Sequence, residues 1–355
     1  MKVVVTGATG NVGTSLLARL QEDERVEEVV GLARRVPALS LPKVSWRRAD
    51  VARSDLVALL RGADAVVHLA WLIQPSRDES ATRRVNVDGS ARVIDAVREA
   101  EVPALVYASS VGAYAPGPPD GRSVDESWPA TGVRSSFYAR HKAEVERLLD
   151  EFEERSPDTR VVRLRPGLCF KAPAATGIRR LFMGPLLPSP LLRREWLRVL
   201  PLPRGLRTQA VHSDDVGEAY RLALHHPRSA TFNVAAEPVL DARTLSRALG
   251  ARALELPPAL VRAAADASWR LRLQPTSPGW LDMGMLTPVM DTSGAREQLG
   301  WTPGRRADEA LLELLDGLRA GAEHATAPLQ RATSGPLRIR ELRSGVGATD
   351  GSERR

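Results

Sequence analysis

Apolar runs of four to six residues alternate with helical segments over the first 165 residues of the chain. The runs predict buried parallel strands, which we place at Val3 to Thr6, Val29 to Ala33, Ala65 to Leu69, Ala104 to Ser109 and Val161 to Leu164. The segments between them predict helices at Val12 to Glu22, Asp55 to Arg61, Glu79 to Ala100 and Tyr138 to Arg155. This alternation predicts an α/β fold with a doubly wound parallel sheet of the Rossmann type.

The regular alternation stops near Pro166, where prolines become frequent. We therefore expect a dinucleotide-binding domain over residues 1–165 and a smaller C-terminal substrate-binding lobe over residues 166–321. Within that lobe, a strand at Thr208 to Val211, a helix at Asp214 to His226 and a strand at Thr231 to Val234 suggest segments that return to the main sheet. Residues 322–355, rich in Ala, Thr, Ser, Gly and Arg, predict a mobile tail.

Composition limits the kind of protein this is. A single cysteine, Cys169, excludes an internal disulfide framework and is typical of the reducing cytoplasm, which is the expected location. No apolar run is long enough to cross a membrane. The net charge is +7, but 46 of the 50 basic residues are arginines spread among acidic residues, so we expect no nucleic-acid partner.

A glycine-rich turn, Gly7-Ala8-Thr9-Gly10-Asn11-Val12-Gly13, directly follows the first predicted strand and opens a helix. Such glycines permit a tight turn, a close approach of pyrophosphate to the backbone, and tight packing of helix on strand. Free N–H groups and the positive end of the helix dipole then face the phosphates. This turn predicts a dinucleotide site.

The residues after the second and third strands bear on which dinucleotide binds. Ala33 stands where a site selective for NAD usually has a carboxylate, and Arg34 and Arg35 follow it. Because arginines suit a 2′-phosphate, we expect NADP, with NAD as the alternative. Asp50, followed by Val51, is positioned to accept a hydrogen bond from the adenine amino group or to cap a turn.

The candidate chemistry lies at the start of a later helix. Tyr138 and Lys142 are one helical turn apart and project from the same face. An ammonium beside a phenol favours the phenolate, so we expect a lowered pKa that suits Tyr138 for proton transfer. Ser109 and Ser110 lie upstream, Ser110 by 28 residues.

Together these features resemble the extended short-chain dehydrogenases/reductases, also called the NAD-dependent epimerase/dehydratase family. The resemblance covers roughly residues 2 to 235. The motifs that carry it are Gly7/Gly10/Gly13, His68-Leu69-Ala70, Asn86-Val87-Asp88-Gly89, Ser109-Ser110 with Tyr114, Tyr138/Lys142, Arg165-Pro166-Gly167 and His212-Ser213-Asp214-Asp215.

The resemblance implies roles for individual residues. Tyr138 would be the general acid/base, Lys142 would lower its pKa and bind the nicotinamide ribose, and Ser110 would polarise the substrate oxygen, with Ser109 as a fallback. Further residues implied to contact the cofactor, beside those of the glycine-rich turn, are Val51, Leu69, Ala70, Asn86 and Pro166.

Three positions carry alternatives that are purely structural. Asn86 also suits a plain helix or turn position, and His68 suits a buried, hydrogen-bonded imidazole better than a catalytic one. The stretch from His212 to Asp215 is typical of a strand end with a helix cap supplied by Ser213 or Asp214, so we expect no metal site.

Two departures from the family pattern affect the expected reaction. Trp71 stands where the family often has a small residue, which predicts a differently shaped cleft near the nicotinamide. The segment from Ser110 to Tyr114 lacks the Asp-Glu pair of sugar-nucleotide 4,6-dehydratases, which argues against elimination chemistry.

The expected reaction is hydride transfer between the nicotinamide C4 and a secondary alcohol or ketone. The alternatives are a nucleotide-sugar epimerase that holds NAD tightly and a non-catalytic NADP-sensing binding protein. The small-molecule substrate is thus a nucleotide sugar or another alcohol or ketone. Residues 178–207 combine seven arginines with many apolar side chains, and the arginines fit a diphosphate. The apolar side chains fit an apolar substrate, a homodimer contact, a lipid surface or an ordinary amphipathic cover over the cleft.

Overall fold

The computed structural model describes residues 1–73, 77–175, 177–178, 198–274 and 276–330. Seven of its strands form one parallel sheet, with bounds β1 (Lys2–Thr6), β2 (Glu28–Ala33), β3 (Val44–Arg48), β4 (Ala65–His68), β5 (Ala104–Ala108), β6 (Arg160–Pro166) and β10 (Ala230–Val234). Their order is β10-β6-β5-β4-β1-β2-β3, so the chain reverses direction across the sheet beside β1. The predicted doubly wound Rossmann-type sheet is confirmed.

Helices cover both faces of this sheet. Those that follow the strands of the N-terminal half are α1 (Asn11–Glu22), α2 (Leu56–Leu60), α3 (Glu79–Arg83), α4 (Gly89–Glu99) and α5 (Phe137–Arg155). Later helices are α6 (Ser213–His225), α7 (Ala242–Leu249), α8 (Pro258–Arg270), α9 (Pro278–Leu286), α10 (Ser293–Glu297) and α11 (Ala307–Ala320). A π-helical turn, Arg84–Asp88, joins α3 to α4, so the predicted helix from Glu79 to Ala100 is one helical stretch with a local irregularity.

The continuous apolar runs form strands because both of their faces are buried. Val3, Val4 and Val5 of β1 are fully buried. Val3 and Val5 pack with residues of α1 and α6, whereas Val4 packs with residues of α2, α4 and α5. Alternate residues of each central strand therefore belong to two separate cores, one on each side of the sheet.

Parts of the C-terminal half join the main sheet, and other parts form separate sheets. Of the two later strands predicted to return to the sheet, only β10 does so, pairing with β6. The other, β9 (Arg207–His212), lies between β7 (Leu168–Phe170) and β11 (Ala236–Asp241) in a separate three-stranded sheet. Helix α6 packs on α1 of the first half, so segments from beyond residue 165 contribute to the unit that carries the main sheet.

Two further strands pair in the lobe, and the start of the predicted tail lies within the described residues. Strands β8 (Val199–Pro203) and β12 (Arg252–Leu256) form a parallel pair. The first part of the predicted mobile tail is folded, because Thr326 and Leu329 are buried. The rest of that tail, and most of the arginine-rich stretch 178–207, lie outside the described residues. No helix in the described part of the chain is long and apolar enough to span a membrane.

Candidate active site

The glycine-rich turn lies at the carboxyl end of β1, at the point where the sheet order reverses. Gly7 has a φ of +70°, and a Cβ there would lie 2.7 Å from the Ala70 nitrogen, so the turn requires glycine. A Cβ on Gly13 would lie 2.5 Å from the Gly7 carbonyl oxygen, which shows how closely α1 packs on the turn. A Cβ on Gly10 would have one neighbour within 4 Å, the Gly7 carbonyl oxygen at 3.2 Å. Most of the space beside Gly10 is therefore open.

The start of α1 offers groups that suit a dinucleotide. Gly10 is the N-cap residue and supplies no side chain to the first N–H groups of the helix, which leaves them for an anion. Asn11 donates from Nδ2 to the Cys169 carbonyl at 3.0 Å, while its buried Oδ1 has no partner. Thr9 is buried in the turn and Val12 is partly buried. These residues fit a pyrophosphate between Gly10 and the helix.

The side chains expected at the adenosine end surround the ends of β2 and β3. Arg34 and Arg35 are exposed directly after Ala33, and Ala33 pairs in register with Arg48. The Asp50 carboxylate accepts a hydrogen bond from the Ala52 nitrogen at 3.0 Å, which is the turn-capping role. This bond uses one carboxylate oxygen, so it does not prevent contact with an adenine.

Val51 packs against the start of α4. A Cβ on Gly89 would lie 2.9 Å from a methyl carbon of Val51. Val51 itself is buried and thereby fixes the chain just after Asp50.

Ser110 and Tyr138 meet at the carboxyl edge of the sheet. Ser110 follows β5, and its hydroxyl accepts a hydrogen bond from the Gly112 nitrogen at 3.0 Å. The loop that follows Ser110 packs against Tyr138, which lies in the first turn of α5, since a Cβ on Gly112 would lie 3.0 Å from a ring carbon of Tyr138. Helix α5 begins there because Ser136 caps it, accepting from the Ala139 nitrogen at 3.3 Å.

Lys142 does not contact the phenol in the way that the sequence suggests. Its Nζ atom donates to the Ala108 carbonyl at 2.5 Å and lies 5.9 Å from the centre of the Tyr138 ring. The ring of Trp71 is closer, with its centre 3.5 Å from the same atom. Lys142 is 2% exposed and is therefore almost entirely enclosed.

Burial sets the protonation of both groups. It raises the pKa of Tyr138 to about 12, against a smaller lowering by the hydrogen bond from Ser110. It also moves the pKa of Lys142 well below its usual range, against the opposing charge of Glu146. The expected lowering of the Tyr138 pKa is therefore absent in this structure, because the lysine charge is itself disfavoured.

Asn86 supports the loop beside the site with both ends of its amide. Its Oδ1 accepts from the Leu72 nitrogen at 2.7 Å, and its Nδ2 donates to the Leu72 carbonyl at 3.1 Å. This pairing fixes the segment after Leu69 and Ala70, whose backbone nitrogens bond to Thr6. The structure thus gives Asn86 a positioning role beside the expected cofactor.

His68 and His212 both occupy structural positions. His68 is buried between the hydroxyls of Thr6, at 2.7 Å, and Ser90, at 2.9 Å. Burial and the charge of Lys142 lower its pKa to about 3. The cap of α6 is His212, which accepts from the Asp214 nitrogen at 3.1 Å, so the prediction of Ser213 or Asp214 as the cap is wrong.

A buried ionic cluster behind the site was not visible in the sequence. Glu146, one turn beyond Lys142 on α5, bonds to Arg163 at 3.0 Å and to Arg165 at 2.9 Å, and it accepts from Ser109. Burial alone would raise the pKa of Glu146, but Arg165, Arg163 and Ser109 outweigh it and lower the pKa to about 2. Ser109 is thus engaged in the core, which leaves Ser110 facing Tyr138.

Pro166 ends β6 and pairs in register with Val234 of β10. The chain then continues to Cys169, whose carbonyl is the partner of Asn11. Pro166 therefore begins the segment that connects β6 to Cys169, beside the glycine-rich turn.

Within the residues that the structure covers, no group of three or more His, Cys, Asp or Glu side chains could hold a metal ion.

The chain belongs to the NAD dependent epimerase/dehydratase family, which matches residues 3–235. This confirms the resemblance seen in the sequence.

Several curated proteins are similar in sequence. An uncharacterized protein of Mycobacterium tuberculosis is 26% identical over 314 residues, 88% of this chain, but the match spans only 29% of that longer protein. The 3-diazoavenalumate denitrifying reductase of a Streptomyces species is 29% identical over 320 residues, covering 85% of this chain and 96% of the relative. A ketoreductase of Stigmatella aurantiaca, acting on a farnesyl dihydroquinoline oxide, is 29% identical over 173 residues, 47% of this chain and 49% of the relative.

Solved structures share the fold. MoeE5 in complex with UDP-glucuronic acid and NAD has a TM-score of 0.65 at 21% identity, covering 90% of this chain and 100% of that chain. UDP-glucuronic acid 4-epimerase from Bacillus cereus, in complex with UDP-glucuronic acid and NAD, has a TM-score of 0.65 at 17% identity, covering 90% and 99%. At these identities the likeness concerns the fold.

Proposed function

We propose that this protein is an NADP-dependent reductase that interconverts a ketone and a secondary alcohol. The observation that carries the proposal is the packing of the loop after Ser110 against the Tyr138 ring, where a Cβ on Gly112 would lie 3.0 Å from a ring carbon of Tyr138. When bound, the nicotinamide supplies or accepts the hydride. The protein supplies the proton, the orientation and a site that excludes water.

In this proposal Tyr138 is the acid that protonates the carbonyl oxygen, and Ser110 orients that oxygen by a hydrogen bond. The high pKa of Tyr138 keeps the phenol protonated at neutral pH, which suits reduction better than oxidation. The family resemblance gives Lys142, one helical turn from Tyr138 on α5, the role of holding the nicotinamide ribose, and we keep that role in this proposal.

The preference for NADP rests on the end of β2. Ala33 offers no carboxylate to the ribose hydroxyls, and the exposed Arg34 and Arg35 suit a 2′-phosphate. An enzyme that exchanges NADP in every cycle is a reductase rather than an epimerase. The reductase names of the Streptomyces and Stigmatella relatives support the same choice.

The second candidate is a nucleotide-sugar epimerase that retains NAD. It is favoured by the fold neighbours that hold NAD with UDP-glucuronic acid. A third candidate, an NADP-sensing binding protein without activity, is less favoured because Ser110, Tyr138 and Lys142 are all present.

The proposed location is the reducing cytoplasm, because a chain with a single cysteine is typical of that compartment.

One experiment separates these candidates. The purified protein is denatured and any released nucleotide is identified, and the native protein is then titrated with NADPH and assayed with alcohols, ketones and nucleotide sugars. A reductase releases no stoichiometric nucleotide, binds NADPH reversibly and oxidises it with a ketone. Stoichiometric NAD would indicate the epimerase, and NADPH binding without any turnover would indicate the binding protein.

A further inference from the structure

Helix α9 of the C-terminal lobe is docked on the first turn of α5, directly beside Tyr138. A Cβ on Gly279 would collide with the carbonyl oxygen of Ser135, so glycine is required for this close approach. Ser136, which caps α5, also contacts the sulfur of Met283 at 3.8 Å. The docking therefore fixes the α9 side chains relative to the Tyr138 ring.

Two aromatic rings pack against the Tyr138 phenol ring. The Trp280 ring from α9 has its centre 5.0 Å from that of Tyr138, at an interplanar angle of 39°. The Trp71 ring lies edge-on, with its centre 6.0 Å away at an angle of 74°. The Phe137 ring lies 6.1 Å from that of Trp280 at 83°, which holds the indole in place.

Met283 also contacts this region, and we call the surface formed by Trp280 and Met283 the wall beside Tyr138. A Cβ on Gly112, in the loop that follows Ser110, would lie 3.0 Å from the Met283 sulfur and 3.0 Å from a ring carbon of Tyr138. The loop, the phenol and the thioether therefore meet at one point. Trp280 and Met283 are each 9% exposed, so the surface that they present to the site is dry and apolar.

Resting on the proposed reductase function, we infer that α9 is a substrate-recognition element and that the substrate carries a planar aromatic group. A carbonyl held by Ser110 and Tyr138 places its substituent alongside Trp280 and Met283. Indole and thioether surfaces favour an aromatic partner, through offset or edge-to-face ring packing and through sulfur–aromatic contact, over an aliphatic group of equal size.

Two cations of the described residues that could face a nucleotide diphosphate bond to the protein instead. The ammonium of Lys142 is covered by Trp71 and bonded to the Ala108 carbonyl. Arg207, which is part of the arginine-rich stretch, donates instead to the Gly121 carbonyl at 2.5 Å. Both cations thus have protein partners, while the wall beside the phenol is aromatic.

The test compares two ketones that differ only in aromaticity. In 4-phenylbutan-2-one and 4-cyclohexylbutan-2-one the ring lies two carbons from the carbonyl, so their intrinsic reactivity is the same. We expect kcat/KM with NADPH to be about fivefold or more higher for the phenyl compound. UDP-glucose should give no turnover.

Variants attribute this preference to α9. Trp280→Leu should bring the ratio of the two kcat/KM values close to one, chiefly through KM for the phenyl ketone, and Trp280→Phe should restore most of it. Trp46→Leu is the matched control, because this indole packs on Gly31 at the far edge of the sheet. It should leave the ratio unchanged.

Equal values for the two ketones in the wild-type protein, or an unchanged ratio in Trp280→Leu, would overturn the inference. If no ketone is reduced, the reductase proposal fails, and binding then decides the inference separately. In the presence of NADPH, 4-phenylbutan-2-ol cannot react, and calorimetry should show it binding about fivefold more tightly than 4-cyclohexylbutan-2-ol. Equal affinities would contradict the aromatic site.

Discussion

The ammonium nitrogen of Lys142 lies 3.5 Å from the centre of the Trp71 indole ring, inside the protein. Burial disfavours the charged form of this lysine, and the indole face favours it. Trp71 therefore acts on the charge of the lysine that lies one helical turn from Tyr138 on α5.

Replacing the indole should change the titration of Lys142. Trp71→Leu removes the π face while keeping an apolar cover, so the pKa of Lys142 should fall by about one unit, as expected for a desolvated cation–π contact. Trp71→Phe should keep it near the wild-type value. The measurement is a 13C NMR titration of the lysine side chains, which is practical because the chain has four lysines.

Lys171 is an internal reference in the same spectra. Burial lowers its pKa to about 8, against the charges of Asp214 and Glu313, and it bonds to Thr14 and Ser15 instead of Trp71. Its titration should not change in either variant. A Lys142 pKa that is the same in Trp71→Leu as in the wild type would show that the indole does not influence the charge.

The pH dependence of catalysis should differ between the two directions. Alcohol oxidation needs the phenolate of Tyr138, and burial raises the pKa of Tyr138 to about 12. Below that pKa the phenolate fraction grows tenfold per pH unit, so kcat/KM for oxidation should rise from pH 7 to about pH 10 without a plateau. Reduction needs the protonated phenol and should be nearly constant over the same range. A plateau of the oxidation profile below about pH 9 would contradict this.

The cofactor preference can be tested at Arg34 and Arg35, which are exposed after β2. Changing both to serine removes two charge-assisted hydrogen bonds to a 2′-phosphate, so the Kd for NADPH should rise by about tenfold to a hundredfold. NADH is the control ligand, because it lacks that phosphate, and its Kd should hardly change. Equal losses for both cofactors, or tighter binding of NADH by the wild-type protein, would argue against NADP.

The ionic cluster around Glu146 should make the protein sensitive to acid. The folded-state pKa of about 2 lies below the ordinary value of 4.5, so this carboxylate stabilises the fold above pH 4.5 and its contribution is lost as the pH falls towards 2. Glu146→Gln leaves Arg163 and Arg165 without their shared anion. It should lower the free energy of unfolding at pH 7 by about 3–5 kcal/mol and flatten the acid dependence.

Glu151 on the same helix is the matched control. It pairs with Arg147 at the surface, where both side chains are exposed by more than a third. Glu151→Gln should change the free energy of unfolding by less than about 1 kcal/mol. Urea denaturation at pH 7, 4 and 3 measures both variants, and equal destabilisation by the two substitutions would disprove the special role of the cluster.

The sequence was a good guide wherever one local pattern determines structure. Buried parallel strands are continuous apolar runs, and the glycine-rich turn fixes where β1 passes into α1, so the sheet and the dinucleotide end could be predicted. Ser110 and Tyr138 were found by their spacing and their place in the family pattern. The sequence could not show that Ser109 belongs to the Glu146 cluster, because that contact links β5, α5 and β6 in three dimensions.

The parts that were missed depend on contacts far apart in the chain. Strand β9 has the same apolar pattern as a strand of the main sheet, and only its pairing with β7 and β11 assigns it to the lobe. The wall beside Tyr138 comes from Trp280 and Met283, which follow Tyr138 by more than a hundred residues. The sequence showed that Trp71 departs from the family pattern, but only the structure showed that its ring contacts Lys142.

The most direct test of the central claim is a comparison of Tyr138→Phe with the wild-type protein. The substitution keeps a ring that can pack on Trp71 and Trp280, and it removes the hydroxyl to which we assign the proton transfer. We predict that ketone reduction with NADPH falls by about a hundredfold to ten-thousandfold. The Kd for NADPH should stay within about twofold, because the phenol oxygen is not required to hold the pyrophosphate or the 2′-phosphate. Turnover close to that of the wild type would contradict the assignment of Tyr138 as the acid/base.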